Sequence, residues 1–272
     1  MSGHSQHRQI AGTRWDPNQY LKFSDHRLRP ALELLGRVPL ADPAVIYDIG
    51  CGPGHVTRLI AERWPSATVY GLDNSREMLA QAEAEPGRIR WIEADIRHWQ
   101  PDEPPDLLYS NAVLHWVEGH STLFPRLVAF LRAGGFLAVQ MPLSWEGPSH
   151  RLMVETLANG GPGGNAIGTV ELHQTVGRKW VEDATVYYGL LAGCTKSLDI
   201  WETEYLHILE GKDPVLEWVK GTALRPILNG LDDRERELFL VEYARRLRAA
   251  YPVRGDGRTL YPFRRLFIVA SV

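Results

Sequence analysis

The chain has 272 residues, 44% hydrophobic and 23% charged, with a formal net charge of −3 at pH 7. That apolar content excludes disorder as the main state, and the near-neutral charge gives no electrostatic case for nucleic acid. No apolar run reaches the roughly 18 residues of a membrane span, and the polar start of the chain lacks the apolar segment of a secretory leader. Two cysteines, Cys51 and Cys194, cannot build a disulfide framework, so a reduced, cytoplasmic setting is expected.

Residues 1–13 read as a flexible tail ahead of one domain over 14–272. From Trp15 to Val38, Tyr20, Phe23, Leu28, Leu32 and Leu35 recur at helical spacing, and Pro39 and Pro43 close the helix. The run Ala44–Ile49, bounded by Pro43 and Gly50, predicts a buried strand. A helix is expected from His55 to Trp64 and a strand over Thr68–Leu72, ending in Asp73. Ser75 then caps a helix with Met78, Leu79 and Ala82 on one face. Strands follow at Ile89–Glu93, Asp106–Ser110 and Phe136–Met141, with a helix over Ser121–Leu131.

After Pro142 the alternation breaks. Residues 144–180 contain two glycine pairs around Pro162 and read as loop. A helix near Val181–Leu191, a strand Ser197–Tyr205, amphipathic helices within 213–250 and a last strand Leu266–Val269 complete the chain. Strands alternating with helices mean parallel crossovers. The expected fold is α/β: a doubly wound, mostly parallel, seven-stranded sheet. Insertions at about 144–180 and 206–262 are expected to fold over one edge as a helical lid.

The sharpest local signal is Asp48-Ile49-Gly50-Cys51-Gly52-Pro53-Gly54. It follows a strand and opens a helix, and three glycines let backbone approach a ligand closely. Asp73, at the end of the next strand, can accept both hydroxyls of a ribose. A dinucleotide fingerprint needs a small residue where this chain has His55, which weakens an NAD-dependent oxidoreductase reading. Asp48 beside the loop suits an amino-bearing ligand better than a pyrophosphate. Cys51 has no His–carboxylate pair at a recognisable spacing to make it a nucleophile. His115 and His120 lack a third ligand nearby in sequence, so no metal is expected.

The pattern of an acid, three spaced glycines and a later acid resembles class I S-adenosylmethionine-dependent methyltransferases. Glu93-Ala94-Asp95-Ile96 ends the next strand and matches that family's adenine-binding element. Asn111-Ala112 matches its loop beside the methionine moiety. The resemblance implies S-adenosyl-L-methionine as cofactor, held by Asp48, Gly50, Cys51, Gly52, Gly54, Asp73, Asn74, Met78, Asp95, Ile96 and Asn111, with Tyr20 closing over it.

Further blocks are similar to the trans-aconitate 2-methyltransferase family. They include Trp15–Phe23, Arg27–Ala31, Glu93–Trp99, Ala138–Pro142, Leu224–Pro226 and Arg265–Ala270, and together they span nearly the whole chain. The resemblance implies O-methylation of one carboxylate of trans-aconitate, a small tricarboxylate, with no obligatory protein partner. A carboxylate is already ionised near neutral pH and needs no general base. Three carboxylates do need cationic partners, and residues 225–272 carry ten Arg and no Lys against six acids. The substrate candidates are Trp15, Arg27, Arg29, His115, Trp145, Arg225, Arg264 and Arg265, with His115 placed to orient a carboxylate. The rival readings are a methyltransferase for another small acid or for a malonyl thioester on acyl carrier protein, and a nonenzymatic sensor of the cofactor.

Overall fold

The computed structural model describes residues 28–221 and 223–272. The predicted tail, Trp15, Tyr20, Phe23 and Arg27 lie outside the described residues.

The described part of the first helix is α1 (Leu28–Gly36). It buries Ala31, Leu32, Leu34 and Leu35, the face that the leucine spacing marks. The strand β1 (Val45–Ile49) is buried at every position, as expected of a strand covered on both faces. It is followed by α2 (His55–Arg63), β2 (Thr68–Asp73), α3 (Arg76–Glu83), β3 (Arg90–Glu93) and β4 (Leu107–Asn111). Ser75 caps α3 as expected, its hydroxyl accepting from the Met78 amide. Next come α4 (His120–Phe130) and β5 (Phe136–Pro142).

Three differences from the sequence reading have physical causes. The first concerns 144–180, which holds two helices, α5 (Pro148–Asn159) and α6 (Val170–Val176), on either side of the glycine run. Ser149, Met153, Thr156 and Leu157 form a buried stripe of helical period that the neighbouring glycines obscure. The second is the start of α7 (Ala184–Leu191), which begins after Asp183, a typical N-cap residue. The third is the length of β6 (Ser197–Leu209) and β7 (Thr259–Ser271), which extend well beyond their predicted ends and into 206–262. Buried Tyr205 and His207 alternate there with exposed Leu206 and Ile208, so an apolar run conceals the period of two. Pro262 reads as a strand breaker. It is tolerated because β7 has left β5 behind at Arg265 and has β6 as its neighbour on one side only.

The remaining helices are α8 (Pro214–Lys220), α9 (Arg225–Gly230) and α10 (Asp233–Ala250). The last starts with a full capping box between Asp232 and Glu235.

The sheet has seven strands in the order β3-β2-β1-β4-β5-β7-β6. The strands β1 to β5 pair in parallel, and β7 runs antiparallel between β5 and β6. Strand order reverses beside β1, and the crevice at such a reversal is where open α/β sheets bind ligands. One core joins the sheet to α4 and α7. A second packs Met153, Leu157, Leu172, Ile227, Phe239 and Tyr243 of the later helices onto Tyr261 of β7.

Ser149, at the start of α5, locks that second core to the hairpin. Its amide donates to Tyr251 Oη, its hydroxyl meets Tyr261 Oη, and its carbonyl accepts from Tyr243 Oη, at 3.0, 3.2 and 2.9 Å. Satisfied buried polar groups of this kind specify one arrangement. This one sets α5, and with it Trp145 and His150, against the carboxyl end of the sheet.

Candidate functional site

The strand β1 ends in the glycine loop. Gly50, Gly52 and Gly54 have φ of +70°, +55° and +81°, a region L side chains rarely enter. At Gly50 a Cβ would also lie 2.3 Å from the Val113 methyls. The Gly50 and Cys51 amides both donate to the Leu72 carbonyl, which ties the loop to β2. Asp73 is held in the same way. Its Oδ2 accepts from the Gly52 amide at 2.8 Å and its Oδ1 from the Ser75 amide at 2.9 Å. Each oxygen keeps acceptor capacity for a ligand hydroxyl.

These elements wall a cavity of about 620 Å³. Gly50, Asp73, Asn74, Asp95 and Ile96 line it, joined by Trp116, Glu118 and Trp180. Its volume suits a nucleoside-sized ligand. The Arg97 guanidinium clasps the Asp95 carboxylate and holds its pKa down to about 2. That carboxylate therefore stays an acceptor at any physiological pH.

Other predicted cofactor residues stand behind this wall. Gly54 makes room for Trp91, whose ring a Cβ would meet at 2.5 Å. Met78 caps nothing itself but donates its amide to Ser75. Cys51 is buried, and desolvation raises its thiol pKa, so it is no nucleophile. Among the described residues no cluster of His, Cys, Asp or Glu could hold a metal ion.

Asp48 lies behind the loop, 3% exposed, where Thr57 Oγ1 donates to its Oδ2 at 2.6 Å. Burial, with Asp73 nearby, pushes its pKa up to about 7. Below about pH 4 both native and unfolded chains hold this proton, so the group is neutral in its effect. Between there and about pH 7 the unfolded chain ionises first, and stability falls as pH rises. Asp48→Asn is therefore expected to raise the melting temperature relative to wild type more at pH 8 than at pH 4. Paired thermal melts check this; a pH-independent difference would contradict the raised carboxyl.

A second chamber, of about 280 Å³, adjoins the first, and Trp116 and Trp180 line both. Its floor is the carboxyl end of the sheet, with Asn111 from β4, Pro142 from β5 and Phe263 and Arg265 from β7. Its roof comes from the later helices, through His150, Met153, Val176 and Trp218. Ala112, at the floor, has φ +56°, a strained value for a residue with a Cβ. Arg265 is 6% exposed; its Nη1 donates to Gln140 Oε1 at 3.3 Å and its guanidinium lies over the Phe263 ring. His115 is buried beside Trp116. Desolvation, then the charge of Arg265, lowers its pKa to about 3. Burial lowers His150 to about 4. Both imidazoles are neutral at pH 7.

The structure thus gathers Asn111, His115, Trp145 and Arg265 from the predicted set. It places three predicted arginines elsewhere. Arg29 pairs with Glu33 at 2.7 Å and stacks over Tyr205. Arg225 is exposed at the start of α9. Arg264 pairs with Glu202 and faces Glu146 in an outer groove of about 350 Å³. The arginine excess after residue 225 is largely a solvated surface. Arg236, Arg245, Arg246, Arg248 and Arg258 all pair with carboxylates there. Adjacent Arg264 and Arg265 part because neighbours on a strand point to opposite faces. Sequence reasoning missed Trp116 and Trp180 as shared walls, and His150 altogether. His150 sits in the segment read as loop, so its buried helical face gave no signal.

The sheet order and the glycine loop define a class I methyltransferase domain. A methyltransferase domain model matches residues 46–135. A Bacillus halodurans protein assigned to the methyltransferases has the same fold, with a TM-score of 0.55 at 14% identity, covering 88% of this chain and 97% of that one. So does Haemonchus contortus phosphoethanolamine N-methyltransferase 2, solved with S-adenosylhomocysteine, with a TM-score of 0.52 at 14% identity. This chain, 89% covered, spans 52% of that protein.

Sequence relatives are more specific. Trans-aconitate 2-methyltransferase of Pseudomonas aeruginosa strain UCBPP-PA14 is 47% identical over 260 residues, 95% of this chain and 94% of the relative. The Streptomyces avermitilis protein of that name is 48% identical over 264 residues, 94% of this chain and 96% of its own. The chain belongs to the trans-aconitate 2-methyltransferase family.

Proposed function

We propose that this chain transfers the methyl group of S-adenosylmethionine to a carboxylate of trans-aconitate, giving the monomethyl ester and S-adenosylhomocysteine. The observation that carries the reading is the pair of adjoining cavities. One has the acids and glycine loop of a nucleoside site, and the other holds one buried guanidinium, and they meet at Trp116 and Trp180. The names of the relatives supply the acid.

The residues of the first cavity fit the cofactor, because Asp73 keeps free acceptor capacity and the glycines leave the loop backbone bare. Bound there, the cofactor supplies an electrophilic methyl on a sulfonium. Asp73 takes the ribose hydroxyls, Asp95 the adenine amino group, and Ile96 flanks the ring. Asn74 and Gly50 border the same space, while Asp48 and Thr57 brace the loop from behind.

Across the Trp116 boundary, Arg265 holds one carboxylate of the acid and so aims another at the methyl. Its planar fork suits a carboxylate bidentately. Holding the attacking oxygen in line is the larger part of the catalysis, since orientation of two reactants contributes up to about 7–11 kcal/mol. His115 is neutral and cannot act as the acid of the reaction, and the nucleophile is ionised without a base. The helices α5, α6, α8 and α9 act as a lid that excludes water from the chamber.

A methyl-transfer assay over a panel of acids tests the reading. Trans-aconitate is expected to be turned over in preference to its trimethyl ester and to monocarboxylates, with one methyl transferred per acid. Turnover of a neutral acceptor in preference to every polycarboxylate would contradict it.

A further inference from the structure

Buried polar atoms without a hydrogen-bond partner gather around the acceptor chamber. Asn111 Oδ1, His115 Nδ1, Trp145 Nε1 and His150 Nδ1 all belong to residues that line it. Such atoms are uncommon in folded proteins, and their concentration in the residues that line one cavity points to groups a ligand completes.

Two of them form a unit. The rings of Trp145 and His150 meet edge to face, with centroids 5.2 Å apart. Ser144 Oγ lies 3.2 Å from His150 Nε2. In the tautomer in which the Ser144 hydroxyl donates to Nε2, the ring proton sits on Nδ1. Trp145 Nε1 and His150 Nδ1 are then both uncharged N–H donors. The same two rings also line the outer groove, so they form the partition between chamber and surface.

Resting on the trans-aconitate reading, we propose that Trp145 Nε1 and His150 Nδ1 form an uncharged anion subsite. It takes a carboxylate of the acceptor that is neither methylated nor held by Arg265. His150 is then a specificity-determining residue, and Ser144 a positioning residue that sets its tautomer. Neutral donors suit this place, because a second buried cation would be costly to leave unpaired whenever the chamber is empty.

The test is calorimetry on the S-adenosylhomocysteine-loaded protein, with trans-aconitate and with dicarboxylates that each lack one of its carboxylates. His150→Phe and Trp145→Phe keep a ring and remove the donor. Each is expected to weaken trans-aconitate binding about 10-fold or more, while leaving one of the dicarboxylates unaffected. His150→Asn places an amide N–H near Nδ1 and is expected to recover most of the loss. Ser144→Ala should raise KM with kcat unchanged, and Ser144→Thr should restore it.

An equal loss for the tricarboxylate and every dicarboxylate, or no loss, overturns the subsite. Methyl transfer by wild type separates the two claims. Transfer to trans-aconitate without the calorimetric differential removes the subsite alone. Binding with the differential but no transfer removes the functional reading alone, and no binding of any acid removes both.

Discussion

Arg265→Gln is expected to lower kcat/KM for trans-aconitate by about 100-fold or more, with S-adenosylhomocysteine affinity unchanged. Removing one partner of a buried, hydrogen-bonded charge pair costs about 2–5 kcal/mol, and the low end of that range already exceeds a tenfold loss. The environment of Arg265 supports the upper part. The residue is 6% exposed, so little water is available to replace a lost carboxylate partner. Glutamine keeps polar bulk but loses the charge and the fork. Arg265→Lys keeps the charge and loses the fork, and is expected to fall between the two.

A structural role would damage all acceptors alike. The loss should therefore shrink for a dicarboxylate that lacks the carboxylate Arg265 binds. Steady-state kinetics with both acids, beside thermal melts of each variant, make the distinction. A uniform loss that follows the melting temperature would contradict the assignment.

Asp73→Ala is expected to weaken S-adenosylhomocysteine binding by about 100-fold. Hydrogen bonds to a charged group contribute about 1.5–3 kcal/mol each, and the proposed site gives the carboxylate two ribose hydroxyls to accept from. The substitution also frees the Gly52 and Ser75 amides that Asp73 now receives, so the loop itself loosens. Asp73→Asn retains one carboxamide oxygen and should lose less. An exposed acid away from the cavity, such as Glu62, serves as the control. Calorimetry that shows equal affinity for Asp73→Ala and wild type would place the ribose elsewhere.

The parallel half of the sheet was legible because its strands are short apolar runs with unambiguous ends. Pro43 and Gly50 bracket β1, and Asp73 ends β2 where a ligand acid belongs. Gly50, Asp73, Asn74, Asp95 and Ile96 of the first cavity were legible for the same reason, since they follow strand ends in chain order. The second chamber was not. Its walls come from β4, β5, β7, α5, α6 and α8, which are far apart in sequence, and no spacing relates them.

Composition misled where it was summed over a segment. Ten arginines from residue 225 onward suggest a polyanion field, yet Arg264 turns to Glu202 on the surface while Arg265 turns inward. That choice depends on the phase of a strand whose beginning Pro262 hides. The tyrosine contacts on Ser149, which fix α5 over the chamber, join positions about a hundred residues apart and leave no local trace.

The most direct test is a crystal structure with S-adenosylhomocysteine and trans-aconitate bound together. The expected result places the ribose on Asp73 and the acid beyond Trp116, with one carboxylate on Arg265 and another facing the cofactor sulfur. Trans-aconitate bound outside this chamber, or with Arg265 contacting none of its carboxylates, would contradict it.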